Sequence, residues 1–293
     1  MAKFQTPLDN AGRPISATVA ALSGKAIPIV ESDTKVHPFR SISVTGSRFA
    51  SALGEFLDTL TAAESRPVRP EDNTHDLIPE KFEALCYRVS ELFEVFEKLP
   101  NVINFRPNRS FKEAAKSYRT AIDHATCDWS KLCNFIKHNS NVISPIRYTY
   151  WPSGKIVSGF GLCEPRPGAA LDINSRFHKD GERRRSFNVS VQQMVFSVMR
   201  CDFLAAEAIR TLPEQDCERL PRHELYFEIA NSIRTIASRP DFAAPTQPVM
   251  FNGITLEQSS LLLHRKRAIY IQEDAQVSTV LKADGFTRTF PYA

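Results

Sequence analysis

The sequence predicts a mainly α fold: a helical core of about seven helices, one central β-hairpin, an extended N-terminal arm and an irregular C-terminal tail. Three observations lead there. Apolar residues recur at helical spacing through most of the stretch from Phe49 to Leu263. The pattern changes to alternation only around Pro152-Ser153-Gly154. Residues 1–46 carry many Pro, Ser and Thr and no sustained period. The expected organisation is an arm at 1–46, an N-terminal helical half at 47–140, a hairpin with a basic loop at 141–186, a C-terminal helical half at 187–268 and a tail at 269–293.

Each element has its own signal. Phe49, Leu53, Phe56, Leu57 and Leu60 form the first stripe. Phe82, Leu85, Cys86, Val89, Leu92, Phe93, Phe96 and Leu99 form the second, with Pro79 suited to a first turn and Pro100 expected just past the end. Ser110 with Glu113 fits a capping box opening a helix over 110–125, and Asp128 is suited to start a short helix with Trp129, Leu132, Cys133 and Ile136 inward. Residues 143–151 and 156–162 alternate as a hairpin. Ser190 and Gln193 are the expected caps of a helix with few charges, which belongs at the centre of the core. Pro221 and Pro240 bracket another, with Leu225, Ile229, Ile233 and Ile236 inward. Thr255 and Gln258 suggest a last helix through Leu261, Leu262 and Leu263, and the tail from Ile269 suits a strand and a short helix.

Composition narrows the class. A chain of 293 residues buries about three quarters of its unfolded surface, enough to fold without disulfides or metal. Hydrophobic content of 42% with 24% charged residues excludes wholesale disorder, collagen and a long coiled coil. Met1 to Pro14 lacks the apolar run of a signal peptide, and Ala17 to Val30 is broken by Lys25 and Pro28. The expectation is a cytoplasmic protein with no membrane contact, its six cysteines reduced.

Familiar catalytic motifs are absent. Gly24-Lys25 and Gly154-Lys155 have Val19 and Thr149 where a phosphate loop needs glycine. Gly159-Phe160-Gly161 lacks the third glycine of a dinucleotide fingerprint. His223-Glu224 lacks a second histidine, and no Gly-x-Ser-x-Gly occurs. His124, Cys127, Cys133 and His138 are zinc-type ligands, but Cys-x5-Cys is the wrong spacing for a compact finger. No cofactor and no metal are expected.

Charge is unevenly placed. Residues 141–186 hold 8 basic and 4 acidic groups, the whole of the +4 net charge. Arg176, Lys179, Arg183, Arg184 and Arg185 cluster there, as a clamp on a polyanion or as a merely solvated loop. Arg109, Lys112, Lys116 and Arg119 recur within an arc of about 80° over about 15 Å of helix, opposite Phe111, Ala114, Ala115, Tyr118 and Ile122. On the hairpin, Tyr148 and Tyr150 share one face and Arg147 lies on the other; aromatics beside Arg on a ribbon suit stacking on unpaired bases, or packing onto helices.

Together these features resemble, in architecture alone, RNA-encapsidating nucleoproteins and coat proteins. That resemblance implies a non-enzymatic protein binding nucleic acid, single-stranded RNA in particular, and self-associating through its arm. An intracellular helical adaptor that binds protein, or an enzyme using a Cys–His pair, are the alternative readings of the same residues.

Overall fold

In a computed structural model of the chain, the described residues are 16–22, 38–65, 74–102, 109–138, 140–150, 155–165, 171–178, 185–210, 250–257, 260–267, 277–283 and 286–291, with Ile229, Ser232, Thr235 and Ile236. The protein is mainly helical with a small antiparallel sheet. Among the described residues there are five helices, α1 (Ala17–Leu22), α2 (Pro38–Glu64), α3 (Thr74–Val102), α4 (Arg109–His138) and α5 (Phe187–Arg210). The strands are β1 (Val142–Tyr150), β2 (Lys155–Pro165), β3 (Leu171–Ile173), β4 (Arg185–Ser186), β5 (Met250–Glu257), β6 (Ser260–Arg267), β7 (Val277–Ala283) and β8 (Phe286–Pro291).

Five helices stand where about seven were expected, for physical reasons. The two helices anticipated on either side of Asp128 are one, α4. Ile122 and Trp129 are seven residues apart and both buried, so a single apolar face runs through the expected break. Thr126 satisfies its hydroxyl on the Ile122 carbonyl, 3.0 Å away, without interrupting the helix. The helix expected at Thr255–Leu263 is instead the hairpin β5–β6, with Leu256 opposite Leu261. Three consecutive leucines carry no 3.6-residue period, and β-capable Ile254 and Thr255 settle the choice. The tail contributes two strands rather than a strand and a helix. β7 pairs with β1 on the edge that β2 leaves open, giving the order β3-β2-β1-β7-β8, with β4 also on β2. Of the helix expected between Pro221 and Pro240, only Ile229, Ser232, Thr235 and Ile236 are described; they are helical, are not counted among the five, and Ile229 and Ile236 are buried.

The expected arm also needs correcting. Residues 16–22 belong to the core rather than outside it, and 38–46 open α2. Ala17, Leu22 and Ile42 are fully buried, and α1 packs on α5. The reason is a buried carboxylate. Asp202 of α5 accepts the Ala17 N–H at 2.7 Å, the Thr18 N–H at 3.1 Å and the Ser16 hydroxyl at 2.5 Å. Those amides open a helix and have no partner within it, so an anion placed there satisfies both their hydrogen bonds and the helix dipole. The rest of the arm, 1–15 and 23–37, lies outside the described residues.

Helix ends depart from expectation in the same local way. Ser186, not Ser190, caps α5: its hydroxyl accepts the Val189 N–H at 3.3 Å. α3 starts at Thr74 and runs to Val102, so Pro79 and Pro100 lie inside it. Pro100 has no N–H to give the carbonyl four residues back, that of Phe96. The Tyr118 hydroxyl of α4 donates to that carbonyl instead, at 2.7 Å.

α5 is buried around most of its circumference, as a charge-poor helix should be. It touches α1, α3, α4 and the sheet. Phe56 (α2), Phe82 (α3), Phe160 (β2) and Phe187 (α5), all fully buried, meet where helices and sheet join. Ring centroids lie 4.9–5.5 Å apart for the contacting pairs, the favoured range for offset and edge-on aromatics.

Candidate nucleic-acid interface

The buried side of α4 places the basic row. Ala115, Tyr118 and Ile122 are buried. Trp129 Nε1 donates to Ser197 of α5 at 3.3 Å, which fixes the rotation of the helix about its axis. Lys116 and Arg119, on the other side, are exposed. Arg109 and Lys112 open the same helix; their side chains lie outside the described residues. Arg119 leans toward α3, where its Nη2 donates to Asn101 Oδ1 at 2.6 Å.

On the opposite flank of the row, toward α5, lies an open cleft of about 570 Å³. One strip of α4 lines it with Glu113, Lys116, Ser117, Thr120 and His124, and α5 adds Arg200. Among the described residues, neither Lys116 nor Arg200 makes an ion pair. Arg200 is a site candidate that sequence reasoning missed. Its signal was legible: it is the first charge in α5 after the uncharged run Phe187–Met199, and only the packing of α5 beside α4 gives that position a neighbour.

The second basic cluster lies elsewhere. The turn after β3 is built on Asn174, whose Oδ1 accepts the Arg176 and Phe177 amides at 2.8 and 3.0 Å, while its Nδ2 donates to Asn141 at 2.8 Å. Asn141 in turn donates from Nδ2 to the Phe135 carbonyl of α4 at 3.2 Å. Ser140, in the left-handed region at φ 51°, turns the chain from α4 into this corner. Phe177 and His178 are buried, so these two are not part of a solvated loop. His178 Nε2 accepts the Leu162 N–H at 2.8 Å. Burial, with the Arg185 charge adding to it, pushes His178 down to about 4.

Arg185 is in strand β4, opposite Phe160, with its guanidinium 4.4 Å over the Phe177 ring. Its guanidinium is thus engaged with a ring of its own chain. Phe177 meets Phe135, centroids 6.5 Å apart, near the C-terminal end of α4. From Arg119 to Phe135 is about 24 Å along the helix, so the structure does not bring Arg185 together with the row. Arg176 is exposed. Lys179, Arg183 and Arg184 lie outside the described residues.

Arg147, Tyr148 and Tyr150 are in β1, the strand with β2 on one side and β7 on the other. Tyr148 pairs with Val157 and Thr279, and Tyr150 with Lys155 and Val277. The expected central hairpin is thus part of a larger sheet, with β1 as an inner strand. The zinc-type residues are strung along α4. His124 and His138 stand about 21 Å apart on an unbroken helix. Cys133 is buried, with its thiol directed to the Cys86 carbonyl at 3.1 Å, whereas Cys127 is exposed.

No described helix is long and apolar enough to cross a membrane. No family model, curated protein or solved structure matches the chain.

Proposed function

We propose that this chain is a non-enzymatic, cytoplasmic protein that binds the backbone of single-stranded RNA, of the nucleoprotein or coat type, and that it self-associates. The observation that carries the reading is the outer side of α4. Lys116 and Arg119 are exposed there over a buried apolar face, and Arg200 adds a further cation beside them. A row of this kind neutralises successive phosphates without reading bases, and binding then falls steeply with salt because counterions are released.

The test is binding of labelled single-stranded RNA across a salt series, wild type against a Lys112→Glu, Lys116→Glu, Arg119→Glu variant of unchanged melting temperature. Three lost contacts lower the slope of log K against log salt by about 2 for a single strand. Equal affinity and equal slope in the two proteins would refute the reading. Self-association belongs to residues 1–15 and 23–37 in this proposal, since 16–22 are engaged by Asp202 of their own chain. Light scattering on a chain lacking residues 1–15 should report the monomer mass.

A further inference from the structure

We propose that the cleft between α4 and α5 is a phosphate site, in which Lys116 and Arg200 hold one phosphoryl group between them. This rests on the RNA reading and deepens it: the group is a backbone phosphodiester of the bound strand or its 5′-terminal monoester.

Three independent observations converge on the same few residues. The first is charge. Lys116 and Arg200 bring two basic side chains to the lining, and Glu113 is its single carboxylate. The second is the lack of partners. Arg200 is half-buried on a helix otherwise enclosed by apolar residues, yet among the described residues it has no acceptor. A partly desolvated guanidinium ordinarily stands against a carboxylate or a carbonyl. Arg200 lines the cleft, and its guanidinium has the fork that suits a phosphate held in the bidentate manner.

The third observation is a hydroxyl. Thr45, Thr59, Thr61 and Thr126, all in helices, donate to the carbonyl four residues back at 2.7–3.0 Å. Thr120, in the same kind of helix and on the cleft lining, makes no such bond among the described residues. Its exposed hydroxyl, like that of Ser117, is hydrated and open to a ligand. The cleft is open to solvent along α4, so a phosphate with its sugar attached can reach Lys116 and Arg200. Glu113 limits the occupant to one phosphoryl group, since a second would stand against its carboxylate.

The experiment uses the full chain and two RNA oligonucleotides of one sequence, one with a 5′-phosphate and one with a 5′-hydroxyl. Anisotropy titrations compare wild type with Arg200→Gln and Thr120→Val. Arg200→Lys serves as the conservative control, keeping the charge and losing the fork. Arg200→Gln is expected to weaken binding about tenfold and to lower the salt slope by about 0.7, with Arg200→Lys intermediate. An equal loss for both oligonucleotides assigns the site to the backbone, and a loss confined to the phosphorylated one assigns it to the terminus. Should Arg200→Gln fail to fold, Thr120→Val and Arg200→Lys carry the same comparison. If these variants bind as wild type while the triple row variant is weakened, the cleft is not a phosphate site although the RNA reading stands. If the row variant is also unchanged, both fail.

Discussion

Replacing Tyr118 by Phe removes one oxygen and tests how α3 tolerates a proline near its end. The Phe96 carbonyl is buried and has lost its helical donor to Pro100; the Tyr118 hydroxyl is its partner at 2.7 Å. Phe keeps the ring and its packing, so the change isolates the hydrogen bond. A buried carbonyl left without a donor costs about 1–3 kcal/mol. In a Pro100→Ala background the residue-100 N–H is restored and reaches the same carbonyl, which then keeps a partner when the hydroxyl goes. Tyr118→Phe should cost at least ~1 kcal/mol less in that background. The assay is urea unfolding of the four proteins, followed by circular dichroism and by tryptophan fluorescence, and read as a double-mutant cycle. Additivity within about 0.5 kcal/mol, or a Tyr118→Phe cost below that value in the native background, would show that the hydroxyl does not replace the missing amide.

Other outcomes follow from groups already placed. His178 is held neutral in the folded chain, while an unfolded histidine takes up its proton near pH 6.5. Stability contributed by its neutrality is therefore complete above about 6.5 and is lost as pH falls toward 4, by up to about 3 kcal/mol. His178→Gln keeps an acceptor for the Leu162 amide and should flatten that part of the urea-midpoint profile; an unchanged profile would contradict the assignment. Brief treatment with N-ethylmaleimide should modify Cys127 and spare Cys86, Cys133, Cys163 and Cys201, which are buried; burial also pushes the Cys163 thiol up to about 11. Peptide mass spectrometry showing Cys163 labelled as fast as Cys127 would count against the packing of β2. Asp202→Asn turns an amide group toward N–H donors. It should speed proteolysis near residues 16–22 with the α3–α4 region still protected, and identical cleavage patterns would contradict the clasp.

The legible parts of the fold were the long ones. Every residue of the second stripe, Phe82 through Leu99, is buried, because a period sustained over eight positions leaves no alternative face. The hairpin at 143–162 was legible for the same reason at period two. What escaped was decided by distant partners. α1 is 6 residues long, too short to carry a period and too short to be stable alone, and its anchor is 184 residues away. β7 and β8 take their place from the free edge of β1, which no local pattern announces. Ser190 resembles a cap as well as Ser186 does, and only the end of β4 selects between them.

The candidate site was legible in part. The rotation of α4 was readable from Tyr118 and Ile122, so Lys116 and Arg119 were assigned to the correct side. Arg200 stood out as the first charge after an uncharged run, but that α5 lies beside α4 was not readable from it. The Arg176–Arg185 run was read from charge count, which does not separate core positions from solvated ones. Phe177 and His178 within it are core residues, and Arg185 is engaged with Phe177.

The clasp on α1 has a consequence for synthesis in the cell. Ser16 to Thr18 leave the ribosome long before Asp202 exists to receive them. At about 5–20 residues per second the interval is roughly 10–40 s. Throughout that delay the amides at the start of α1 lack this partner, so α1 is docked late, as a closing step, once α5 has emerged. A factor that grips the first two dozen residues during translation would therefore compete directly with completion of the fold.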